Sequence, residues 1–238
     1  MKTLPEQLLS GLSHELRTPL NVIMGYSAIL REEGEDNLSK EQRLALDRIQ
    51  SSSSSLLAYV ETIFYMAELD RGLMPLTRDA VRVSDLLARV GAELAPRARA
   101  KGLAWRFDAP AELPLVTDED KLVRLVRTLA DNAVRHTTEG EVVLVARPAA
   151  SGVTLEVRDS GPGIDPELIV ETEDVIAGRA TTRPPRLLGF GLRLAGRLVR
   201  ILGASLTMAA GPQGTTCHLV VPDLAAAESG RTAQAATA

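Results

Sequence analysis

A short stretch near the start of the sequence, LLSGLSHELRTPLNVI, combines a potential nucleophile with a neighbouring carboxylate and a hydroxyl group. Within it lie His14, Glu15 and Thr18. A neutral imidazole is a nucleophile, and an adjacent carboxylate can accept the proton from its second ring nitrogen. Thr18 lies one helical turn after His14 and can orient a water molecule on the same face. The structural alternatives are a surface histidine, a helical ion-pair glutamate and a capping threonine.

A second group of polar side chains lies in LADNAVRHT, at the predicted end of a helix. Asn132 and Arg135 are three residues apart and therefore share a helix face, and His136 follows them. An amide oxygen can ligate Mg²⁺, and a guanidinium can hold phosphate. The alternative is a polar helix end whose cation interacts favourably with the helix dipole.

Two glycine motifs follow further along the chain. The predicted strand VTLEVRD ends at Asp159 and continues into a turn with Gly161 and Gly163. Glycines allow a ligand to approach the backbone, and the carboxylate can accept a hydrogen bond from it. Gly189 and Gly191 precede a predicted helix, whose N-terminus can bind phosphate. Each motif alone is more often an ordinary turn or helix start than a binding site.

Two heptad patterns predict the element that carries His14. Both patterns repeat an apolar residue every seven positions, at Leu9, Leu16, Ile23 and Leu30 and at Ile49, Leu56 and Ile63. Ser39 and Gln42 predict a capping box at the start of the second helix. The pattern continues through the serines at 51–55, which favours a helix over a flexible kink. Two such helices cannot enclose a core alone, so residues 1–72 are predicted to form a dimeric four-helix bundle.

Residues 76–222 change to an alternating pattern of helices and strands. We predict a short strand at 81–83, a helix that Ser84 caps, a strand in LAWRFDA, a helix that Thr117 and Asp120 cap, two apolar strands, a helix from Leu192 and a final hairpin around GPQG. This order predicts an α/β sandwich. Residues 223–238 have little to bury and are predicted to be a disordered tail.

Composition excludes several classes of protein. The chain of 238 residues is 45% hydrophobic, which is enough for one or two domains, and its net charge of -4 argues against a nucleic-acid partner. The single Cys217 excludes an intrachain disulfide and a cysteine metal cluster. No stretch approaches the roughly 20 apolar residues of a membrane span. We therefore expect a cytoplasmic protein with no membrane insertion.

Together, these motifs resemble the core of bacterial sensor histidine kinases of two-component systems, over about residues 5–221. SHELRTPLN resembles the family's H box, LADNAVRHT its N box, DSGPGI and GFGL its two glycine boxes, and GPQGTT its closing Gly-x-Gly-Thr turn. The resemblance implies a dimerisation and phosphotransfer hairpin followed by a GHKL-type ATP-binding α/β sandwich. It implies ATP and Mg²⁺ as cofactors.

The resemblance also implies a role for each matching residue. His14 would be phosphorylated, with Glu15 and Thr18 assisting proton and water chemistry. Asn132 would ligate Mg²⁺, and Asp159 would bind the adenine amino group. The other nucleotide-binding residues that it implies are Arg135, His136, Gly161, Gly163, Arg183, Gly189, Gly191 and Leu192.

Three features depart from the family pattern. Thr128 stands where the N box usually begins with asparagine, and Leu187 where the second glycine box usually has a leading glycine. The segment EDVIAGRA has no phenylalanine where the family has a phenylalanine box. These departures predict weak ATP binding and slow autophosphorylation.

From the resemblance we expect a homodimeric kinase that autophosphorylates His14 from ATP. It would pass the phosphoryl group to an aspartate in the receiver domain of a response regulator, and phosphatase activity toward that regulator is a further expectation. The alternative is a catalytically weakened phosphotransfer or docking dimer that regulates a response regulator or another kinase. The joint presence of Asn132, Asp159, Gly161 and Gly163 favours the kinase. Because the H box lies near the first residue, we expect a separate protein to supply the signal.

Overall fold

The computed structural model describes residues 6–33, 37–164, 169–170, 173–174, 189–211 and 213–225, with the backbone alone at residues 6–15 and 33. The chain divides into two compact units, Met1–Met74 and Pro75–Ala238. The first unit is helical. Among the described residues, the second unit contains three helices and seven strands. The predicted fold class, a helical hairpin followed by an α/β sandwich, is confirmed.

The first unit is a hairpin of two long helices, α1 (Glu6–Glu33) and α2 (Lys40–Asp70). The predicted capping box is present: the Gln42 amide donates to Ser39 Oγ at 3.2 Å, and the Ser39 amide donates to Gln42 Oε1 at 2.8 Å. These bonds satisfy amides that a helix start otherwise leaves unpaired. The serines at 51–55 lie within α2, so the helix prediction there is confirmed.

The two helices pack antiparallel in one regular register. Three contacts spaced seven residues apart along each helix define it: Arg17 with Glu61 at 3.4 Å, Met24 with Ser54 at 3.9 Å and Arg31 with Asp47 at 3.4 Å. A seven-residue period in the contacts is the period of the heptad sequence pattern. Ser53 is buried in α2, where a small side chain lets the helices approach closely.

The hairpin leaves many apolar side chains uncovered. The exposed ones are Leu16, Val22, Ile23, Tyr26, Ile29, Leu30, Leu44, Ile49, Leu56, Tyr59 and Ile63. They include the heptad residues of both helices from Leu16 onward, and a contiguous apolar surface of this kind is typical of an interaction face. Among the described helices, none combines the length and apolarity that a bilayer span requires.

The second unit contains a five-stranded sheet and a two-stranded ribbon. In chain order its elements are β1 (Asp79–Arg82), α3 (Val83–Ala100), β2 (Ala104–Asp108), β3 (Pro114–Thr117), α4 (Glu119–His136), β4 (Glu141–Ala149), β5 (Gly152–Asp159), α5 (Phe190–Ile201), β6 (Ser205–Gly211) and β7 (Gly214–Pro222). The sheet order is β2-β4-β5-β7-β6, and β1 pairs with β3. Among the strand pairs of the described residues, only β2–β4 is parallel. The helices α3 and α4 lie beside each other and contact the sheet, and α5 packs on α4.

Burial alternates along the central strands, as expected for a sheet with one covered face. On β5, Val153, Leu155 and Val157 are buried, whereas Glu156 and Arg158 point to the opposite face. This alternation places the last residue of β5, Asp159, on the side of the helices. The register of the core therefore decides where the candidate site lies.

Three details of this unit differ from the sequence prediction. The strand β3 was not predicted, and Thr117 is its last residue rather than a helix cap. Asp118 caps α4 instead, with its carboxylate accepting from the Lys121 amide at 2.9 Å. Ser84 does not cap α3, because β1 runs directly into the helix and the Ser84 hydroxyl donates to the Ala111 carbonyl.

A buried ion pair fixes the start of α4. Lys121 Nζ donates to Asp118 Oδ2 at 2.7 Å and to the Pro75 carbonyl at 2.9 Å. The same carboxylate accepts from the Thr77 amide at 2.9 Å. Burial opposes ionisation of Asp118, but the hydrogen bonds from Lys121 and Thr77 outweigh it and hold its pKa below the ordinary value. The cluster therefore ties the first residues of the unit to α4.

Replacing Lys121 with methionine should destabilise the second unit by about 3–5 kcal/mol, because the variant leaves the buried Asp118 carboxylate without its counter-ion. Chemical unfolding followed by fluorescence of Trp105, the single tryptophan, measures this unit specifically. The control is Arg127→Met on the same helix, which removes an exposed ion pair with Glu93 and should cost at most about 1 kcal/mol. Equal losses in the two variants would contradict the assignment.

The same experiment has a pH dependence. Because the pKa of Asp118 is lowered by folding, the stability that it contributes is present at neutral pH and is lost as the pH falls through its folded pKa. In Lys121→Met, protonation of the unpaired Asp118 carboxylate should instead stabilise the folded state. Acidification should therefore narrow the difference in unfolding free energy between the parent and the variant.

Candidate functional site

The candidate site forms where α4 ends beside the end of β5. The last residue of α4 is His136, and the Thr137 amide continues the helical pattern with a 3.0 Å bond to the Ala133 carbonyl. The Thr137 hydroxyl donates to the same carbonyl at 2.7 Å and is buried. This end of the helix is therefore held in one conformation.

Lys101, the residue that follows α3, fixes the same end of α4. Its Nζ donates to the carbonyls of Val134 at 2.8 Å, Arg135 at 2.9 Å and Thr137 at 3.2 Å. The last carbonyls of a helix lack intrahelical partners and carry partial negative charge, so an ammonium group there is favourable. Lys101 consequently holds the backbone of Arg135 and Thr137 in place.

Asp159, the last residue of β5, faces this helix end. Its Oδ1 accepts from the Gly161 amide at 2.9 Å and from the Thr215 amide at 3.4 Å. Its other oxygen, Oδ2, accepts no hydrogen bond from any of the described residues. Burial raises the pKa of Asp159, while the two amide bonds and the nearby His136 act in the opposite direction. Within the described part of the chain, the protein therefore holds one oxygen of the carboxylate and leaves the other without a hydrogen bond.

Glycines make room around Asp159. A Cβ atom at Gly161 would lie 2.9 Å from Asp159 Oδ1 and 3.3 Å from Thr137 Oγ1. Gly163 has a φ of +80°, and a Cβ atom there would lie 2.6 Å from a carbonyl oxygen at the end of β6. Gly214 has a φ of +120°, and its Cβ would overlap the Asp159 carbonyl at 1.8 Å. Side chains are therefore excluded from this turn on steric grounds.

The second glycine motif lies against the middle of α4. Gly189 is the N-cap residue of α5, and a Cβ atom there would meet no heavy atom of the described residues within 4 Å. A Cβ at Gly191 would lie 3.3 Å from the methyl carbon of Thr128, so the start of α5 and α4 are neighbours. Leu192, in the first turn of α5, is partly buried. The Thr128 hydroxyl donates to the Arg124 carbonyl at 2.7 Å.

Asn132 and Arg135 differ in how their side chains are engaged. Asn132 is partly exposed, and its side chain makes no hydrogen bond within the described part of the chain. Arg135 pairs with Asp131, one turn earlier, at 2.9 Å. No cluster of three or more His, Cys, Asp or Glu side chains that could hold a metal occurs among the described residues.

The remaining predicted site residues lie elsewhere. His14 and Glu15 are within α1, where the structure describes the backbone, and Thr18 is exposed one turn later. Pro19 follows inside the same helix. Arg183, Leu187 and residues 175–180 of the EDVIAGRA segment lie outside the described residues. The structure thus brings Asp159 and the first glycine motif to the end of α4 and the second glycine motif to the middle of that helix, while the histidine motif belongs to the other unit.

Comparison with known families assigns both units. A family model described as the His Kinase A (phospho-acceptor) domain matches residues 6–72. A second, described as the Histidine kinase-, DNA gyrase B-, and HSP90-like ATPase, matches residues 117–225. The chain belongs to the histidine kinases. This confirms the family that the sequence motifs predict, and the hairpin precedes the sandwich in the chain as the resemblance implies.

Individual sensor kinases are similar over most of this chain. The sensor protein DivL of Caulobacter vibrioides is 31% identical over 221 residues, which are 91% of this chain and 28% of DivL. The aerobic respiration control sensor protein ArcB of Escherichia coli is 30% identical over 224 residues, 90% of this chain and 28% of ArcB. The kinase chain therefore spans little more than a quarter of these relatives.

A solved structure shows the same fold in a longer protein. The crystal structure of full-length ShkA in complex with AMPPNP matches with a TM-score of 0.68 and 27% identity. The match covers 92% of this chain and 46% of the ShkA chain. The similarity therefore includes both units of the histidine kinase core.

Several residues of the site were not predicted from the sequence. They are Lys101, Thr137, Thr215 and the pair Arg97 and Asp131. Thr137 and Thr215 lie within the N box and the Gly-x-Gly-Thr turn, so the motifs themselves could have indicated them. Lys101 and Arg97 lie more than thirty residues from their partners in the sequence, and no local pattern indicates them.

Replacing Asp159 with asparagine should weaken ATP binding by about tenfold to a hundredfold, because a carboxylate that accepts a hydrogen bond from a ligand typically contributes about 1.5–3 kcal/mol. Calorimetric titration with a non-hydrolysable ATP analogue measures the change. The control is Asp108→Asn, the same substitution at an exposed carboxylate of β2 that pairs with Arg147. Unchanged binding by Asp159→Asn would contradict the role of this carboxylate.

Binding by the parent protein should also depend on pH. Burial raises the pKa of Asp159, so its carboxylate becomes protonated at a higher pH than an ordinary aspartate as the solution is acidified. Affinity for the nucleotide should fall through that pH range. The Asp159→Asn variant has no carboxylate at this position, so its affinity for the nucleotide should not fall for this reason over the same pH range.

Proposed function

We propose that the protein is an ATP-dependent histidine kinase that phosphorylates its own His14 and then transfers the phosphoryl group to an aspartate of a response regulator. The observation that carries the proposal is the joint presence of the His14 motif in a phospho-acceptor hairpin and of the Asp159 site in an ATPase fold. Residues 1–72 would form the dimerisation and phosphotransfer domain, and residues 76–222 the catalytic domain. The bound AMPPNP of ShkA supports ATP as the nucleotide.

Asp159 and its glycines would bind the adenosine end of ATP. The available Oδ2 can accept a hydrogen bond from the adenine amino group, while the Gly161 amide and Thr215 hold Oδ1. Because Gly161 has no Cβ atom to crowd Asp159 Oδ1 and Thr137 Oγ1, its amide can hold Oδ1 at this turn. The predicted roles of His136, Gly163, Gly189, Gly191 and Leu192 around the nucleotide belong to this proposal.

Asn132 and Arg135 would bind the phosphate end. A Mg²⁺ ion commonly takes one or two protein ligands and completes its coordination with phosphate oxygens and water, so the single amide oxygen of Asn132 fits it. When bound, the ion would neutralise charge on the transferring phosphate. Arg135 contributes a guanidinium one helical turn from Asn132. Arg183 is proposed as a further phosphate contact because the resemblance to the family implies it.

At His14, the neutral imidazole would attack the terminal phosphorus of ATP, forming a nitrogen–phosphorus bond and releasing ADP. Glu15 would take the proton from the other ring nitrogen. The protein's contribution is chiefly positioning and charge neutralisation, since phosphoryl transfer needs little further covalent chemistry. Thr18 would orient a water when the phosphoryl group is removed from the regulator.

The hairpin would associate with a second copy to form a four-helix bundle. Heptad residues such as Ile49 and Leu56 are about half exposed in the single chain. A second hairpin would cover them and remove apolar surface from water. A homodimer also fits the internal register of the hairpin, whose contacts recur every seven residues.

A weakened kinase is the second candidate, and Thr128 favours it. The N box usually has an asparagine amide at this position, which a threonine does not supply. The Thr128 hydroxyl instead donates to the Arg124 carbonyl of its own helix. The protein would then act as a phosphotransfer or docking dimer that regulates a response regulator or another kinase. Measurable labelling from ATP separates the two candidates.

Labelling from γ-labelled ATP and Mg²⁺ should be abolished in His14→Gln, because the acceptor nitrogen is removed. The label on the parent should be labile in acid and stable in base, as expected of phosphohistidine. The control is His218→Gln, which changes an exposed histidine of β7 beside Glu156 and should leave labelling intact. Persistent label in His14→Gln would exclude His14 as the acceptor.

Replacing Ile49 with aspartate should shift the protein from dimer to monomer, since the charge would be buried in the bundle. Sedimentation at micromolar concentration measures the state. Leu73→Asp is the control, because Leu73 is 45% exposed like Ile49 but lies beyond α2. A parent protein that is monomeric at this concentration would contradict the bundle.

A further inference from the structure

Three ion pairs connect α3 to α4 and recur along the two helices. Their α3 members are four residues apart and therefore share a face. The pairs are Arg89 with Glu119 at 2.7 Å, Glu93 with Arg127 at 2.8 Å, and Arg97 with Asp131. Within the described residues, only the last of the three continues into a second ion pair, because Asp131 also binds Arg135.

Asp131 uses a different oxygen for each arginine. Its Oδ1 accepts from Arg97 Nη1, and its Oδ2 accepts from Arg135 Nη2 at 2.9 Å. Asp131 is 23% exposed, whereas the side chains of Arg97 and Arg135 are 57% and 48% exposed. The carboxylate therefore lies beneath two more exposed cations, directly before Asn132 in the chain.

The charge balance of this cluster matters for an anionic ligand. With Arg97 present, one carboxylate is shared between two guanidinium groups and the cluster carries a net positive charge. Without Arg97, Asp131 would neutralise Arg135 alone, and its carboxylate would oppose the approach of phosphate. Arg97 thus compensates a negative charge that adjoins the phosphate end of the site.

We propose that Arg97 is a positioning residue for phosphate binding, acting through Asp131 on Arg135. The proposal rests on the proposed function, which assigns Arg135 to the phosphates of ATP. Arg97 holds one oxygen of Asp131, and the other oxygen orients the Arg135 guanidinium. Because Arg97 compensates the carboxylate, the positive charge of Arg135 remains available to a phosphate. The other two ion pairs connect the same helices, but they have no such link to Arg135.

The test compares ligands with and without phosphate. In Arg97→Met, the Kd for Mg²⁺-ATP at low salt should rise by about two- to fivefold, the size expected of a partly exposed charge interaction. The Kd for adenosine should not change, because adenosine carries no phosphate. The difference between variant and parent should diminish at high salt, since salt screens exposed charges. A purely structural role would weaken both ligands alike.

Two matched controls complete the design. Arg127→Met removes the same charge from the neighbouring ion pair and should leave the Kd for Mg²⁺-ATP unchanged. Arg97→Met combined with Asp131→Asn should restore part of the affinity, because the uncompensated carboxylate is gone. Arg97→Lys should retain most of the parent's affinity for Mg²⁺-ATP.

The outcomes separate this role from the proposed function. If the parent binds Mg²⁺-ATP and the Kd of Arg97→Met equals that of the control Arg127→Met, the positioning role is overturned. The kinase proposal then still stands. Equal weakening of ATP and adenosine in Arg97→Met would also overturn it. A parent that binds no Mg²⁺-ATP at millimolar concentration would overturn both.

Discussion

The end of β5 meets the end of α4 with no room for a Cβ atom between them, and the candidate nucleotide site depends on this steric constraint. Gly161 brings its own amide to the Asp159 carboxylate, and a larger residue there would collide with both Asp159 and Thr137. The Lys101 ammonium holds the helix end against which this turn packs. The Asp159 carboxylate is thereby held in a partly buried position, although burial opposes its ionisation.

The two ends of α4 illustrate two uses of charge. At its start, the Asp118–Lys121 pair is buried, fully hydrogen-bonded and structural. At its end, Asp131 and Arg135 are more exposed, so the cations there stay accessible to a ligand. A buried pair needs its partner because an isolated buried charge is costly, whereas an exposed pair contributes little to stability and can serve binding. One helix thus has a buried structural ion pair at its start and a more exposed ion pair at its end, where the proposed function places phosphate.

The phospho-acceptor hairpin has a different physical basis. Its internal contacts follow a seven-residue period, but the heptad side chains beyond that seam remain about half exposed. The hairpin therefore has local order without a closed core. In the proposed dimer, a second copy would supply the missing apolar contacts, and the stability of this unit would then depend on protein concentration.

Short-range patterns in the sequence determined the helices of the hairpin, the capping box at Ser39 and the order of motifs that indicates the family. Heptad periodicity and helix caps act between residues a few positions apart, so the sequence displays them directly. The tertiary structure alone decided the ribbon strand β3, the hydrogen bond from Lys121 to the Pro75 carbonyl, and the contacts of Lys101 and Arg97 with α4. These join residues more than thirty positions apart, and such contacts depend on how elements pack rather than on any local pattern.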